Sequence, residues 1–322
     1  MADSFSLKDH LFNADTLGDL AREYAAGIPG FPAQVFLDAV MPGLAARQLL
    51  ERLDWIADCL TPHLASDFPT MADQLESAMP PPLDPTKTDD DFGRFIHAVP
   101  GIFAVRHGLT DAYRDRALDL IECATKRFSM ESYIRPFLNT WPDIVMARLA
   151  QWAHHDHYHV RRLVSEGTRP NLPWAKRLTT DPFAALPLLD ILHADPARFV
   201  TRSVANHLND LSKRDGGRVM DRLAAWHAEG RQTKKELIWI TRHALRTLIK
   251  QGDPRAMVML GYRPDAPVSV ETFDLHPNAP VIGQTARVSA TLTASVPTPV
   301  LVDYVVWFKR PGGRESAKVH RL

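Results

Sequence analysis

A repeat of 40 residues predicts the fold class of this 322-residue chain. We predict a mainly α protein: a HEAT-like α-solenoid of paired antiparallel helices, followed by a small immunoglobulin-like β-sandwich. Apolar residues recur at helical spacing through residues 1–262, and the pattern changes to strand-like alternation in residues 263–322. We therefore expect two domains with these bounds.

The repeat consists of three segments, HVRRLVSE from His159, FVTRSVAN from Phe199 and WITRHALR from Trp239. Aligned, they share an arginine column and two apolar columns: Arg162, Arg202 and Arg242; Val160, Val200 and Ile240; Val164, Val204 and Ala244. Each follows another amphipathic pattern, over residues 142–153, 182–193 and 218–228. Helix pairs repeated about every 40 residues are typical of HEAT-like solenoids. The arginine column then predicts a basic stripe; the alternative is outward-facing arginines in salt bridges.

Helix start signals accompany each segment. Asp156 and Asp195 are predicted caps of the first two helices, and Pro196 suits the first turn of the second. Thr233 and Glu236 have the spacing of a capping box for the third.

The rest of the chain divides by pattern. Residues 1–76 are helical in composition and spacing. The Pro- and Asp-rich stretch 77–93 is predicted to be an insertion loop, because helical sequence resumes at Phe95. After RPDAP, near residues 263–267, three β-branched stretches are separated by the turn-like HPNAP, VPTP and PGG. Only 59 residues remain there, and a full sandwich takes about 100, so we expect a minimal or incomplete one.

Composition excludes several classes of protein. Two cysteines, Cys59 and Cys123, argue against a disulfide framework and a cysteine zinc site, and suit a reducing bacterial-type cytoplasm. The N-terminus lacks the pattern of a secretory signal, and no apolar run approaches a membrane span. No dinucleotide-binding, P-loop or nucleophile-elbow signature is present, so we expect no cofactor.

Charge is unevenly distributed along the chain. The net charge is −10 over residues 1–100, +9 over 101–263 and +1 over 264–322. A basic middle region indicates an anion-binding surface, with nucleic acid as the common partner. Solvated helix faces that differ in charge are the equally weighted alternative.

The chemistry candidates are acids within this basic region. Glu166 lies four residues after Arg162, so the two share a helix face; the alternative is a weak surface ion pair. Trp174 follows a Gly/Pro-broken loop; the alternative is a tryptophan packed in the core. Glu131 opens a helix, and Asp210 lies on the second repeat helix. Because negative charge weakens binding to a polyanion, acids here need a functional reason.

The segment HHDHYH, residues 154–159, has a metal-like composition, with His155 and His159 four apart. It lacks an HExxH arrangement and any nearby cysteine. We expect no metal there and favour a solvated or phosphate-contacting loop.

Three segments together resemble a known family. RPFL after a Glu-containing helix start, HVRRLVSEGTRPNLPW, and VANHLNDLSK are similar to the AlkC branch of the DNA alkylation repair glycosylases, over most of residues 1–262. The C-terminal stretch resembles the immunoglobulin-like domain of some members. The resemblance implies a HEAT-like solenoid that wraps DNA and hydrolyses the N-glycosidic bond of 3-methylcytosine, 1-methyladenine or 3-methyladenine.

The resemblance also implies site residues. Glu131, Arg162, Glu166 and Trp174 match active-site positions, and Asp210 matches a further acid, with Asp215 close by. Glu166 and Asp210 are then expected to stabilise an oxocarbenium-like sugar and position water, with Glu131 adding negative field. Trp174 would stack on the sugar or lesion, and Arg162 would orient Glu166.

The expected partner is double-stranded DNA containing alkylated bases, bound by a monomer. The predicted DNA-binding residues are Arg161, Arg169, Arg202, Arg242, Lys213 and Arg214. Two alternatives remain: a non-catalytic HEAT scaffold that binds DNA or an acidic protein, and a metal-dependent hydrolase built on HHDHYH.

Overall fold

The computed structural model describes residues 6–89, 91–263, 265–281 and 283–321. Its α-helices are α1 (Leu7–Leu11), α2 (Ala14–Gly27), α3 (Ala33–Val40), α4 (Leu49–Leu60), α5 (Phe68–Ser77), α6 (Val99–Gly108), α7 (Arg114–Thr125), α8 (Ile134–Thr140), α9 (Pro142–Trp152), α10 (Tyr158–Gly167), α11 (Leu186–Leu192), α12 (Arg198–Ser212), α13 (Gly216–Glu229), α14 (Lys234–Ala244), α15 (Arg246–Lys250) and α16 (Pro254–Met259). Its strands are β1 (Val268–His276), β2 (Arg287–Ala294), β3 (Asp303–Lys309) and β4 (Glu315–Arg321). The change from helix to strand lies between Met259 and Val268.

The three repeat segments form α10, α12 and α14, which pack side by side. Both apolar columns are completely buried, at 0% exposure: Val160, Val200, Ile240, Val164, Val204 and Ala244. Removing such side chains from water is the main source of helix-packing energy, about 25 cal/mol per Å² of apolar surface. The mainly α class predicted from the repeat is therefore confirmed, and the repeat columns are its core.

The predicted caps of the first two repeat helices are wrong in detail. The N-cap of α10 is His157, whose ring accepts from the His159 N–H, while Asp156 offers only its carbonyl, to Arg161. Asp195 lies three residues before Arg198, where α12 begins, and accepts from the Ala197 N–H at 2.8 Å. The same carboxylate also pairs with Arg161 of the previous repeat, because a buried acid requires a charged partner.

Half of the predicted capping box forms at α14. The Thr233 hydroxyl accepts from the Glu236 N–H at 3.3 Å. The Glu236 carboxylate turns to the neighbouring repeat, where Thr201 donates to it at 2.6 Å and Arg198 pairs with it. Glu236, which would complete a local capping box, therefore forms contacts between repeats.

The 77–93 insertion lies against the repeats. The Leu83 N–H donates to the Lys126 carbonyl at 2.8 Å, and the Phe199 N–H donates to the Thr88 carbonyl at 2.9 Å. Asp89 forms an ion pair with Arg202 of the arginine column. The loop therefore places a carboxylate on the predicted basic stripe.

The strands form two separate antiparallel sheets, β1 with β2 and β3 with β4. Within the described residues the sheets do not close over a shared core, and Phe273 and Trp307 are 68% and 65% exposed. Leu301 packs against the helical core. The prediction of strands in this region is confirmed. The two sheets stay separate, which agrees with the minimal or incomplete sandwich that we expected. No described helix is both long and apolar enough to cross a membrane.

Candidate active site

Glu166 lies in the last turn of α10 and is only 5% exposed. Its Oε1 accepts from Arg169 Nη1 at 2.5 Å, and its Oε2 accepts from the Ser203 hydroxyl at 2.6 Å. Arg162 Nη2 is 3.6 Å from Oε2. A buried carboxylate with this many charged and polar donors is fixed in position.

Asp210 lies on the neighbouring helix α12 and is 2% exposed. Its Oδ2 accepts from both Nε and Nη2 of Arg169 at 3.0 Å, while Lys213 Nζ is 3.4 Å from Oδ1. Arg169 therefore bridges Glu166 and Asp210. Asp215, the other acid considered, caps α13 by accepting from the Arg218 N–H at 2.9 Å, which leaves Asp210 as the acid of the cluster.

Glu131 joins the cluster through Arg162. Arg162 Nη1 donates to Glu131 Oε2 and to the Ser129 hydroxyl, both at 2.9 Å. Its guanidinium also lies 4.5 Å from the centre of the Phe199 ring. The order of charges is Glu131, Arg162, Glu166, Arg169, Asp210, and we call these five residues the carboxylate cluster. Alternating signs reduce the repulsion between three acids held close together.

The electrostatics of Glu166 favour its ionised form. Burial alone would raise the pKa of Glu166, but the positive charges of Arg162 and Arg169 and the Ser203 hydrogen bond hold that pKa below its ordinary value. A carboxylate that stays charged is suited to stabilising developing positive charge, and less suited to strong general-base work.

Arg135, in the RPFL motif, organises the chain beyond Glu166. It is 1% exposed and donates to the carbonyls of Gly167 at 3.1 Å and Arg169 at 2.8 Å, and also to that of Lys176. Burial and the charge of Arg169 lower the pKa of Arg135 to about 10. One side chain thus fastens both ends of the 167–177 loop. Gly167 is required here because a Cβ would lie 2.6 Å from Ile134 Cγ2.

Trp174 lies on this loop with its side chain pointing into solvent. It is 90% exposed, and it has a φ of 68°, the left-handed region that side chains other than glycine rarely adopt. Among the described residues, no ring or hydrogen-bond contact joins it to the carboxylate cluster. The alternative of a core tryptophan is wrong, and its stacking on a substrate stays a prediction.

The predicted DNA-binding residues divide into two groups. Arg161 gives both Nε and Nη2 to Asp195 and Nη1 to two carbonyls, and Arg169 lies in the carboxylate cluster, so the structure gives both of them internal partners. Arg202 faces Asp89. The exposed ones are Arg242, Lys213 and Arg214. The predicted basic stripe is therefore not continuous, because Arg162 and Arg202 of the arginine column pair with acids.

Sequence reasoning missed Ser203 and Arg135. The repeat alignment contains a signal for Ser203, since it stands in the column where the previous repeat has Leu163 and the next has His243. A hydroxyl at a core column indicates a buried polar partner. Arg135 has no such local signal, because its acceptors are carbonyls 32 to 41 residues away.

The histidine segment is structural. His155 accepts from the His157 N–H at 2.9 Å, and His157 Nε2 lies 3.0 Å from the Leu83 carbonyl. His159 is 2% exposed, and burial lowers its pKa to about 3. No group of three potential metal ligands occurs in the part of the chain that the structure describes. The expected solvated loop is found only in the first half of the segment, because His154 and Asp156 are exposed while His157 and His159 are buried.

Replacing Arg135 with methionine should lower the free energy of unfolding by about 2–4 kcal/mol, because three backbone carbonyls lose the buried guanidinium that donates to them. Trypsin should also cut faster after Lys176 and Arg177, at the end of the 167–177 loop; Arg169 precedes Pro170 and is not a trypsin site. Urea denaturation and timed proteolysis would measure both. Arg255→Met, at an exposed arginine paired with Asp221, is the control. Wild-type stability and cleavage in Arg135→Met would refute the anchoring role.

Comparison with known proteins agrees with this architecture. Residues 269–322 match the family model described as "Uncharacterised protein YhaZ, C-terminal Ig-like domain". The chain is 28% identical over 319 residues to the protein YhaZ of Bacillus subtilis (strain 168), covering 97% of this chain and 84% of that protein.

A solved structure is similar over almost the whole chain. It is the Pseudomonas fluorescens alkylpurine DNA glycosylase AlkC bound to DNA containing an abasic site analog, with a TM-score of 0.86 and 31% sequence identity, covering 99% of this chain and 86% of that one. Together, the family model and the similar structure confirm a helical-repeat fold followed by an immunoglobulin-like part. On this similarity, the chain belongs to the AlkC-type family of DNA alkylation repair glycosylases, whose fold is the HEAT-like repeat.

Proposed function

We propose that this protein is a DNA glycosylase of base excision repair that hydrolyses the N-glycosidic bond of cationic N-alkylated bases. The expected lesions are 3-methylcytosine, 1-methyladenine and 3-methyladenine in double-stranded DNA. The observation that carries the proposal is the pair of buried carboxylates, Glu166 and Asp210, on adjacent repeat helices and bridged by Arg169. The similar AlkC structure, which is bound to DNA, supports it.

The chemistry follows from the charge of the substrate. A base alkylated at a ring nitrogen already carries a positive charge, so it leaves as a neutral base with the bonding electron pair and needs no protonation. The sugar becomes oxocarbenium-like, and the negative charges of Glu166 and Asp210 stabilise it, with Glu131 adding to the field. Water then adds to C1′ and transfers its proton to one of these carboxylates.

The remaining predicted residues have binding roles. Arg162 would keep Glu166 in place, and Trp174 would stack on the lesion or its sugar, with a cation–π contribution from a charged base. Arg202, Arg242, Lys213 and Arg214 would bind phosphates. For Arg202 this requires exchanging Asp89 for DNA. We further propose that residues 1–262 form the glycosylase domain and 263–322 the β domain, and that the protein acts as a cytoplasmic monomer.

The decisive experiment is incubation with a duplex that carries one 3-methylcytosine or 3-methyladenine, in the presence of EDTA. We expect abasic sites, detected as strand breaks after alkaline treatment, and none in the matched undamaged duplex. Binding without base release would favour the non-catalytic scaffold. Base release that EDTA abolishes would favour a metal-dependent hydrolase.

A further inference from the structure

A polar cavity of about 490 Å³ is lined in part by residues that are close in sequence to the carboxylate cluster. It is lined on one side by Thr168, which follows Glu166 by two residues, and on another by Arg214, at the C-terminal end of α12. Lys213, the residue before Arg214, is 3.4 Å from Asp210. The chain therefore connects two walls of the cavity directly to the two central acids.

The third wall, residues 177–182, is held in place from α8. Asn139 Nδ2 donates to the Arg177 carbonyl at 2.9 Å, and Asn139 Oδ1 accepts from the Thr179 N–H at 2.9 Å. Arg135 fastens the preceding carbonyl, that of Lys176. These contacts come from buried or partly buried residues of the repeat core, so the cavity is formed before any ligand arrives.

The charged residues that line the cavity are Arg177, Arg214 and Asp181. Both arginines are exposed, and within the described residues neither guanidinium has a hydrogen bond or ion pair. The Asp181 carboxylate already accepts from the Phe183 N–H at 3.0 Å. Most other arginines of the helical region are paired with acids or carbonyls, so two free guanidinium groups on one polar cavity indicate a missing anion.

The net charge of the lining is +1, which matches the single negative charge of a phosphodiester. Guanidinium groups and threonine hydroxyls such as those of Thr179 and Thr180 are common ligands of DNA phosphates. We propose that this cavity, which we call the phosphate cleft, binds one backbone phosphodiester of the DNA next to the lesion. This inference rests on the proposed function, since it takes DNA to be the ligand, and it adds the contact that sets the position of the strand relative to the carboxylate cluster.

The test measures how DNA affinity depends on salt for the Arg177→Gln/Arg214→Gln double variant. Neutralising one phosphate contributes about 0.9 to the slope of log affinity against log salt concentration. We therefore expect the slope to become shallower by about one, and the affinity for an undamaged duplex to fall about tenfold at ~0.1 M salt. Because both arginines bind the same phosphate, each single variant should already show most of this reduction in salt slope and affinity. The two single reductions should therefore not add up in the double variant. An unchanged slope, or additive losses that total about two, would overturn the proposal.

A matched control removes two charges elsewhere. Arg22→Gln/Arg255→Gln alters two exposed arginines whose partners are Asp19 and Asp221. It changes the net charge equally and should leave the slope within experimental error of wild type. An equal loss of slope in this control would show that net charge alone sets the effect, against a specific cleft.

Inorganic phosphate is the other source of the same chemistry. Its binding is measured by calorimetry, with sodium chloride at equal ionic strength as the reference. If the double variant loses binding of inorganic phosphate but keeps the wild-type salt slope on DNA, the cleft takes a free anion and the assignment to DNA fails. All binding measurements use undamaged DNA, so a wild-type protein that binds normally and releases no base would refute the proposed function without affecting this result.

Discussion

Glu166→Gln should reduce the single-turnover rate of base release by about 100- to 1,000-fold, the loss typical when a group that stabilises transition-state charge is removed. The amide retains the shape of the side chain: its oxygen can still accept from Arg169, and its NH2 group can donate to the Ser203 hydroxyl. The variant loses the negative charge that would stabilise the cationic sugar. Affinity for the lesion duplex should change by less than about threefold, since Glu166 is only 5% exposed and faces arginines.

The control for this variant is Asp195→Asn. Asp195 is also a buried acid bridged to an arginine of the previous repeat, Arg161, but it lies outside the carboxylate cluster. The Asp195→Asn variant should be less stable than the wild-type protein, but at saturating enzyme it should release base at the wild-type rate. Excision by Glu166→Gln at the wild-type rate would remove Glu166 from the chemistry, whatever happens to Asp195→Asn.

The second large effect is expected at Arg169. Arg169→Met should lower the free energy of unfolding at pH 7 by about 3–5 kcal/mol, because breaking a buried ion pair leaves an uncompensated charge. Here one guanidinium serves two acids, Glu166 and Asp210. Urea denaturation at a series of pH values would measure the loss.

The pH dependence of this loss has a definite sign. In the wild-type protein the pKa of Glu166 is lowered, so its stabilising contribution is present above the unfolded pKa of about 4.3 and is lost as the pH falls through the lower folded value. Without Arg169 the buried carboxylate binds a proton more readily, which removes the uncompensated charge. The difference between variant and wild type should therefore shrink below about pH 5.

Arg148→Met provides the comparison. Arg148 pairs with Asp119, which is 54% exposed, and such surface pairs contribute little to stability. We expect only a small loss, nearly constant with pH. If Arg169→Met were as stable as Arg148→Met, or if its deficit grew in acid, the description of Arg169 as the bridge between two ionised carboxylates would be wrong.

Local sequence was sufficient for much of the helical framework. The apolar columns that begin with Val160 and Val164 are buried, as the 40-residue repeat predicted. Helical periodicity places apolar residues on one face of each helix, and packing removes that face from water. The i,i+4 spacing likewise placed Arg162 and Glu166 on one face. Asp210 was identified on a neighbouring helix by its repeat position and by family resemblance.

Local sequence was insufficient for the ion pairs. Arg169 was predicted to bind DNA, yet its partners are Glu166 and an acid 41 residues away. Arg202 was predicted to line an open stripe, yet it meets Asp89, 113 residues earlier in the chain. Local sequence also does not show whether Trp174 is buried or exposed; the structure leaves its side chain 90% exposed.

The sequence by itself therefore determined which segments are helices and strands, which faces they bury and which acids lie in the basic region. Only the tertiary structure decided which arginine neutralises which acid and which guanidinium groups, such as those of Arg177 and Arg214, remain free for an anion. The physical reason is range. Helix periodicity is set within a few residues, whereas the partner of a buried charge is set by desolvation, which depends on whatever the packed chain brings within hydrogen-bonding distance.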